Sequence, residues 1–90
     1  MSARRDKITI IFDILEAIQK KGGKIKPTHL LYKSNLSHGR MKQYVDELVN
    51  KKLLEEKEDK GKKMYVLTDE CYKFITNYAQ VMKFMDSFGF

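Results

Sequence analysis

The sequence predicts an α+β fold: three helices, a β-hairpin and a last, C-terminal helix. Three observations predict it. Apolar residues recur every three or four positions in the opening segment, again after Ser37, and again after Thr68. Two short runs, Leu53-Leu54-Glu55-Glu56-Lys57 and Lys63-Met64-Tyr65-Val66-Leu67, flank the polar tip Glu58-Asp59-Lys60-Gly61-Lys62, as hairpin strands do. A tight joint, Ser34-Asn35-Leu36-Ser37, separates a brief helix from a longer one.

The first helix is expected from about Asp6 to Lys21. Ile8, Ile11, Phe12, Leu15 and Ile18 form its stripe. Ile10, Ile14 and Ala17 widen it, which predicts burial on more than one side. Gly22-Gly23 ends the helix, and Lys20 and Lys21 suit its C-terminus. Lys24-Ile25-Lys26 reads as a very short strand. Pro27-Thr28 opens the second helix, with Thr28 as its cap and Leu30, Leu31 and Tyr32 as its apolar content. Asn35 tolerates turn geometry, and Leu36 plugs the corner. Ser37 caps the third helix, which runs to about Lys52 on an inner face of Met41, Tyr44, Val45, Leu48 and Val49. After the hairpin, Thr68 caps the last helix, and Asp69 and Glu70 suit its first turn. Helix, helix-turn-helix, hairpin: that order is the winged helix-turn-helix, whose second helix of the pair commonly enters the DNA major groove.

The chain has 90 residues, enough for one domain or one domain with an extension. We divide it into residues 6–67, the winged helix-turn-helix, and residues 68–90, a helix for antiparallel, coiled-coil-like dimerisation. The formal charge is +6, which favours an anionic partner, nucleic acid before acidic lipid. One cysteine, Cys71, precludes an intramolecular disulfide and leaves a metal cluster or any other cofactor unsupported. A reducing cytoplasm, in association with the nucleoid, is the expected compartment. No apolar run is long enough to span a bilayer, so no membrane partner is expected. Arg4-Arg5 before Ile8 has the outline of a twin-arginine signal. Asp13 and Glu16 interrupt the apolar stretch, so it is read as the first helix instead.

Charge is unevenly placed. From Ala17 to Val45 there is no Asp or Glu, while Lys20, Lys21, Lys24, Lys26, Lys33, Arg40 and Lys42 all fall there. That window spans the parts of a helix-turn-helix that face a duplex. Ser37, His38, Gly39, Arg40 and Gln43 lie on the first turns of the third helix, within reach of base edges. Arg40 suits guanine and Gln43 suits adenine, and Gly39 permits close approach. Lys42, Thr28, Lys33 and Ser34 are the phosphate-contact candidates. Lys60, Lys62 and Lys63 extend the set to the hairpin, where Glu58 and Asp59 point to steering rather than readout. The blander alternative is a solvated basic face. His29 and His38 read as surface residues. Tyr32, Tyr44 and Tyr65 read as core or rim packing.

The last helix carries two apolar stripes. One is Cys71, Ile75, Tyr78, Met82 and Met85; the other is Phe74, Tyr78, Val81, Met85 and Phe88. One stripe suffices to pack a helix on a small domain, so the surplus predicts a homodimer contact. The competing reading buries both stripes within the monomer, against the first helix. At about 19 residues, or ~28 Å, the helix is short for a long coiled coil.

Nothing points to catalysis. The chain lacks a phosphate-binding glycine loop, a G-x-S-x-G and an H-E-x-x-H, and no small-molecule ligand is evident. It is not expected to be an enzyme.

These residues resemble a known family. Ile14-Leu15-Glu16-Ala17-Ile18, a helix from Thr28 to Tyr32, the turn Asn35-Leu36-Ser37, the core Tyr44, Leu48 and Leu53-Leu54, and Tyr65-Val66-Leu67-Thr68 follow in its order and spacing. The chain is similar to the small, chromatin-associated archaeal winged-helix DNA-binding proteins that dimerise through a C-terminal coiled coil. The resemblance covers nearly the whole chain. It implies a homodimer that binds double-stranded DNA, as a transcription regulator or an architectural binder. Two positions depart from the family. His38 stands where an aromatic residue is common, and Cys71 where glycine is common. The alternative function is a winged helix used for protein–protein contacts in a transcription or replication assembly.

Overall fold

A computed structural model describes residues 6–89. Arg4 and Arg5, and Phe90 at the end of the proposed dimerisation segment, lie outside them. The elements follow as α1 (Lys7–Lys20), β1 (Lys24–Ile25), α2 (Pro27–Ser34), α3 (His38–Asn50), β2 (Leu54–Asp59), β3 (Lys62–Leu67) and α4 (Asp69–Ser87). The strands form one antiparallel sheet in the order β1-β3-β2.

Each helix start has a chemical reason. The Asp6 carboxylate accepts from Thr9 N at 2.9 Å, which caps α1 and holds the acid below the usual carboxylate range. Ser37 Oγ accepts from Arg40 N at 3.3 Å at the head of α3. Thr68 Oγ1 accepts from Cys71 N at 3.2 Å and donates to Lys52 O at 2.7 Å, so the α4 cap is tied to the chain after α3. One expected cap is corrected. Lys26 occupies the N-cap position of α2, Pro27 opens the helix, and Thr28 lies inside it. Proline fits there because its fixed φ and missing N–H suit a first helical position.

Helix ends are as specific. Gly23 N bonds Ile18 O and Gly22 N bonds Gln19 O, both at 3.0 Å, with Gly22 at φ 83°. The same pair of hydrogen bonds closes α3, Leu53 N–H donating to Leu48 O at 2.9 Å and Lys52 N–H to Val49 O at 3.0 Å. There the left-handed residue is Lys52, φ 63°. Asn35 ends α2 at φ 56°, making the corner between the paired helices.

The hairpin is longer than expected. Glu58, Asp59 and Lys62 belong to the strands, and the turn is Lys60-Gly61, φ 54° and 78°. Two successive left-handed residues match the right-handed twist of the paired strands. Across the ladder Glu58 faces Lys63 and Asp59 faces Lys62.

One core joins all layers: Ile10, Ile14, Leu15 and Ile18 of α1, Ile25, Leu30, Met41, Val45, Leu48, Leu54, Tyr65, Leu67 and Cys71. On α1 the deepest face is Ile10, Ile14 and Ile18 with Leu15, while Ile8 is exposed. Phe12 turns toward α4, where its ring stacks on Tyr78 at 3.7 Å and Phe74 at 5.2 Å between centroids. The wide α1 stripe thus serves two neighbours, the core and α4.

Candidate nucleic-acid interface

The front of α3 is a solvated surface. Ser37, His38, Gly39, Arg40, Lys42 and Gln43 are all exposed, while Met41 and Val45 hold the helix down on the core. The period of the helix makes this division: Met41, Val45 and Leu48 repeat at four and three, so the intervening residues point outward. A side chain built at Gly39 would meet nothing within 4 Å. The domain therefore places no packing demand on that glycine. The Arg40 guanidinium lies over the Tyr44 ring, 6.0 Å from its centroid, which steadies it along the helix.

The cations differ in their surroundings. Lys42 pairs with Asp46 at 3.5 Å and Lys63 with Glu56 at 3.2 Å. That carboxylate raises the Lys63 pKa. Glu55, Glu56, Glu58 and Asp59 line β2, an edge strand of the sheet. Lys60, Lys62 and Lys63 are exposed, but they share the wing with these acids. Opposite charges across a ladder attract one another and dilute the field that an anion would feel.

Space also changes the acid-free window. Lys33 lines a groove with Lys20 and Lys21, and Asp13 and Glu16 of α1 line the same groove. Glu16 pairs with Lys20 at 3.4 Å. Acids that lie outside the window in sequence thus sit against its α1 flank. On α2 the field remains positive: partial desolvation, then Lys21, Lys33 and Lys26, hold His29 below the ordinary histidine range.

Three sequence expectations are corrected. Ser34 is only 2% exposed and donates to Leu31 O at 3.3 Å, so it is not on a phosphate-facing surface. Leu30 and Ser34, four apart, form the inner face of α2. Cys71 is wholly buried within the single chain and belongs to the core, not to a surface a partner could touch. Tyr32 is neither core nor rim packing; it is 82% exposed. Thr28 is exposed on α2, one helical turn from Tyr32.

The apolar stripes of α4 divide along the helix. Phe74 and Ile75 pack against the core, and Tyr78 stacks on Phe12. Past Ala79 every described residue is exposed. Val81, Phe84, Met85 and Phe88 stand at i, i+3, i+4 and i+7, with Phe84 62% and Phe88 64% exposed. Met82 is exposed beside them and borders a groove against Phe12. Sequence reading missed Phe84 because it lies off both of the stripes traced from Cys71 and Phe74. The i, i+3, i+4, i+7 spacing from Val81 was the signal available.

Among the described residues no group of three or more His, Cys, Asp or Glu could hold a metal ion, and no helix is long and apolar enough to cross a membrane.

The sequence model of the family described as winged helix-turn-helix matches residues 4–86. An uncharacterized protein of Methanocaldococcus jannaschii is 29% identical over 82 residues, 91% of this chain, and the chain spans 36% of that relative's length. Among solved structures, Sso10a-2, a DNA-binding protein from Sulfolobus solfataricus, superposes with a TM-score of 0.75 at 24% identity, over 93% of this chain and 85% of that one. F93 from STIV, a winged-helix DNA-binding protein, superposes at 0.74 and 21% identity, over 89% of this chain and 92% of that one. A MarR family transcriptional regulator from Silicibacter pomeroyi gives 0.75 at 17% identity, over 88% of this chain and 54% of that one. At such identities the superpositions establish the fold.

Proposed function

Because this chain belongs to the winged helix-turn-helix family, we propose that it binds double-stranded DNA with the front of α3 in the major groove. One observation carries the reading. Ser37, His38, Gly39, Arg40 and Gln43 are exposed together on the first turns of α3, with no acid among them. Arg40 and Gln43 read base edges, and Gly39 lets the helix approach closely. Thr28 and Lys42 contact phosphate, and Lys33 assists from the α1 flank. Lys60, Lys62 and Lys63 steer from the wing. The descriptions of Sso10a-2 and F93 as DNA-binding proteins support the partner.

Residues 6–67 form the DNA-contacting unit, and residues 68–90 pair two copies. Within that segment the contact runs along Val81, Met82, Phe84, Met85 and Phe88, whose exposure supports a covering partner. Phe74, Ile75 and Tyr78 support it from behind, through α1. The protein acts as a homodimeric regulator or as an architectural, chromatin-type binder in the cytoplasm. A regulator shows a preferred half-site repeat. An architectural binder shows a steep salt slope with little sequence preference.

Fluorescence anisotropy on random and genomic duplexes at two salt concentrations tests the reading. Arg40→Ala combined with Lys42→Ala is expected to weaken duplex binding by about 2–4 kcal/mol, most of it from Arg40, with the dimer intact. Wild-type affinity for the double variant at moderate salt would remove α3 from the interface.

A further inference from the structure

Tyr32 has no packing role that accounts for it. At 82% exposure it is the most open of the large apolar side chains among the described residues. An aromatic ring left in water forgoes the burial that it could gain elsewhere. Its position on α2 is informative. Leu30 and Ser34 face the core, and Lys33, Ser34 and Asn35 border the groove with α1. At 100° per residue, Thr28 and Tyr32 then fall on the outer side of α2, opposite the buried Leu30 and Ser34. Past the Asn35 corner the chain leads directly into Ser37 and His38, which are exposed as well. The acids Asp13 and Glu16 line that groove, and Thr28 and Tyr32 do not.

We propose that Tyr32 is a backbone-positioning DNA contact. Its O–H donates to a phosphate oxygen beside the groove that α3 enters, and its ring lies against the adjoining deoxyribose. Together with Thr28 it fixes the tilt of α3 on the duplex. Such a contact carries no sequence information, so it acts equally on every duplex. The inference rests on the DNA-binding reading and adds to it a neutral contact from α2.

Salt dependence isolates the neutral contact. A lysine on phosphate releases a counterion, so its removal lowers the slope of log affinity against log salt by about 0.9; removal of a tyrosine does not. The full chain, Tyr32→Phe, Tyr32→Ala and Lys33→Ala are titrated by anisotropy with two unrelated duplexes at several salt concentrations. Melting temperatures and sedimentation are recorded in parallel. Tyr32→Phe is expected to lose roughly tenfold in affinity on both duplexes, and Tyr32→Ala more, with an unchanged salt slope and melting temperature. Lys33→Ala serves as the charged reference, with a shallower slope. If the wild type binds and both Tyr32 variants bind equally well, Tyr32 is not a contact and the DNA reading stands. If the wild type itself does not bind, both fall. If Tyr32→Ala alters sedimentation without altering affinity, the residue belongs to a protein interface and the proposal is overturned.

Discussion

Cys71 and Gly39 show opposite relations between a side chain and its surroundings. Cys71 is sealed in the core, and burial pushes its thiol up from 9.0 to about 11. A group whose pKa is raised by folding stabilises the fold fully below its unfolded value and loses that contribution as pH rises toward the folded one. Denaturant titrations are expected to show the stability advantage of wild type over Cys71→Ala shrinking between pH 9.0 and about 11, by roughly 2–3 kcal/mol at the upper end. A constant difference across that range would show that the thiol does not titrate differently in the fold. The buried thiol is also expected to resist thiol reagents until the chain unfolds. A side chain at Gly39 would meet open space. Glycine inside a helix costs roughly 0.5–1 kcal/mol relative to alanine. Gly39 is the second residue of α3, where that cost is smaller, so Gly39→Ala is expected to raise stability by less than that amount and to weaken duplex binding at least severalfold. Stabilisation without weakening, read by melting and anisotropy together, would show that no close approach occurs there.

At the scale of elements, the caps connect local chemistry to tertiary structure. Both α1 and α3 end in the same two-bond motif, but α1 places Gly22 in the left-handed position and α3 places Lys52 there. A non-glycine residue in that region costs roughly 1–2 kcal/mol, partly offset by the lower entropy of its unfolded chain. Lys52→Gly is expected to raise the unfolding free energy by about 0.5–1 kcal/mol. A lower denaturation midpoint would mean that the lysine side chain contributes more than its backbone strain costs. The Thr68 hydroxyl then links the carbonyl of this same residue to the start of α4. Most element positions were legible because caps and apolar periods are local signals. Ser37, Asp69, Glu70 and the Gly22-Gly23 stop needed no knowledge of the fold. Pro27 fits the first helical position and Thr28 resembles a cap, so a linear reading does not separate the two possible starts of α2. Glu58, Asp59 and Lys62 look like loop residues in sequence, yet on an exposed wing polar residues pair as strands.

The whole molecule is extended by α4. Its radius of gyration is 14.0 Å, and its longest axis is 48 Å. A compact chain of this length has a radius near ~12 Å. The excess accompanies a helix whose final turns leave the domain with Val81, Phe84, Met85 and Phe88 uncovered. Burying a large apolar side chain stabilises by about 1.5–3 kcal/mol, a gain that pairing two such faces would set against the entropic cost of association. Sedimentation is expected to find a dimer at micromolar concentration, and Phe84→Glu with Phe88→Glu to yield a folded monomer with weaker duplex binding. A wild-type monomer under those conditions would refute pairing through α4. Loss of one domain from a dimeric reader also removes the half-site spacing that two linked copies impose.

The sequence alone determined the order of elements, the helix periods and most of their caps, and the absence of acids between Ala17 and Val45. These are properties of neighbours along the chain, and backbone geometry converts them directly into local structure. Tertiary packing decided which side of a broad apolar stripe meets which neighbour. It placed Cys71 and Ser34 inside, turned Tyr32 outward, split α4 between the α1 contact and an open end, and set Asp13 and Glu16 against the basic groove. A helical period fixes the angle between side chains on one helix. It does not fix the rotation of that helix against the others, because that depends on how all the apolar faces close around a shared core.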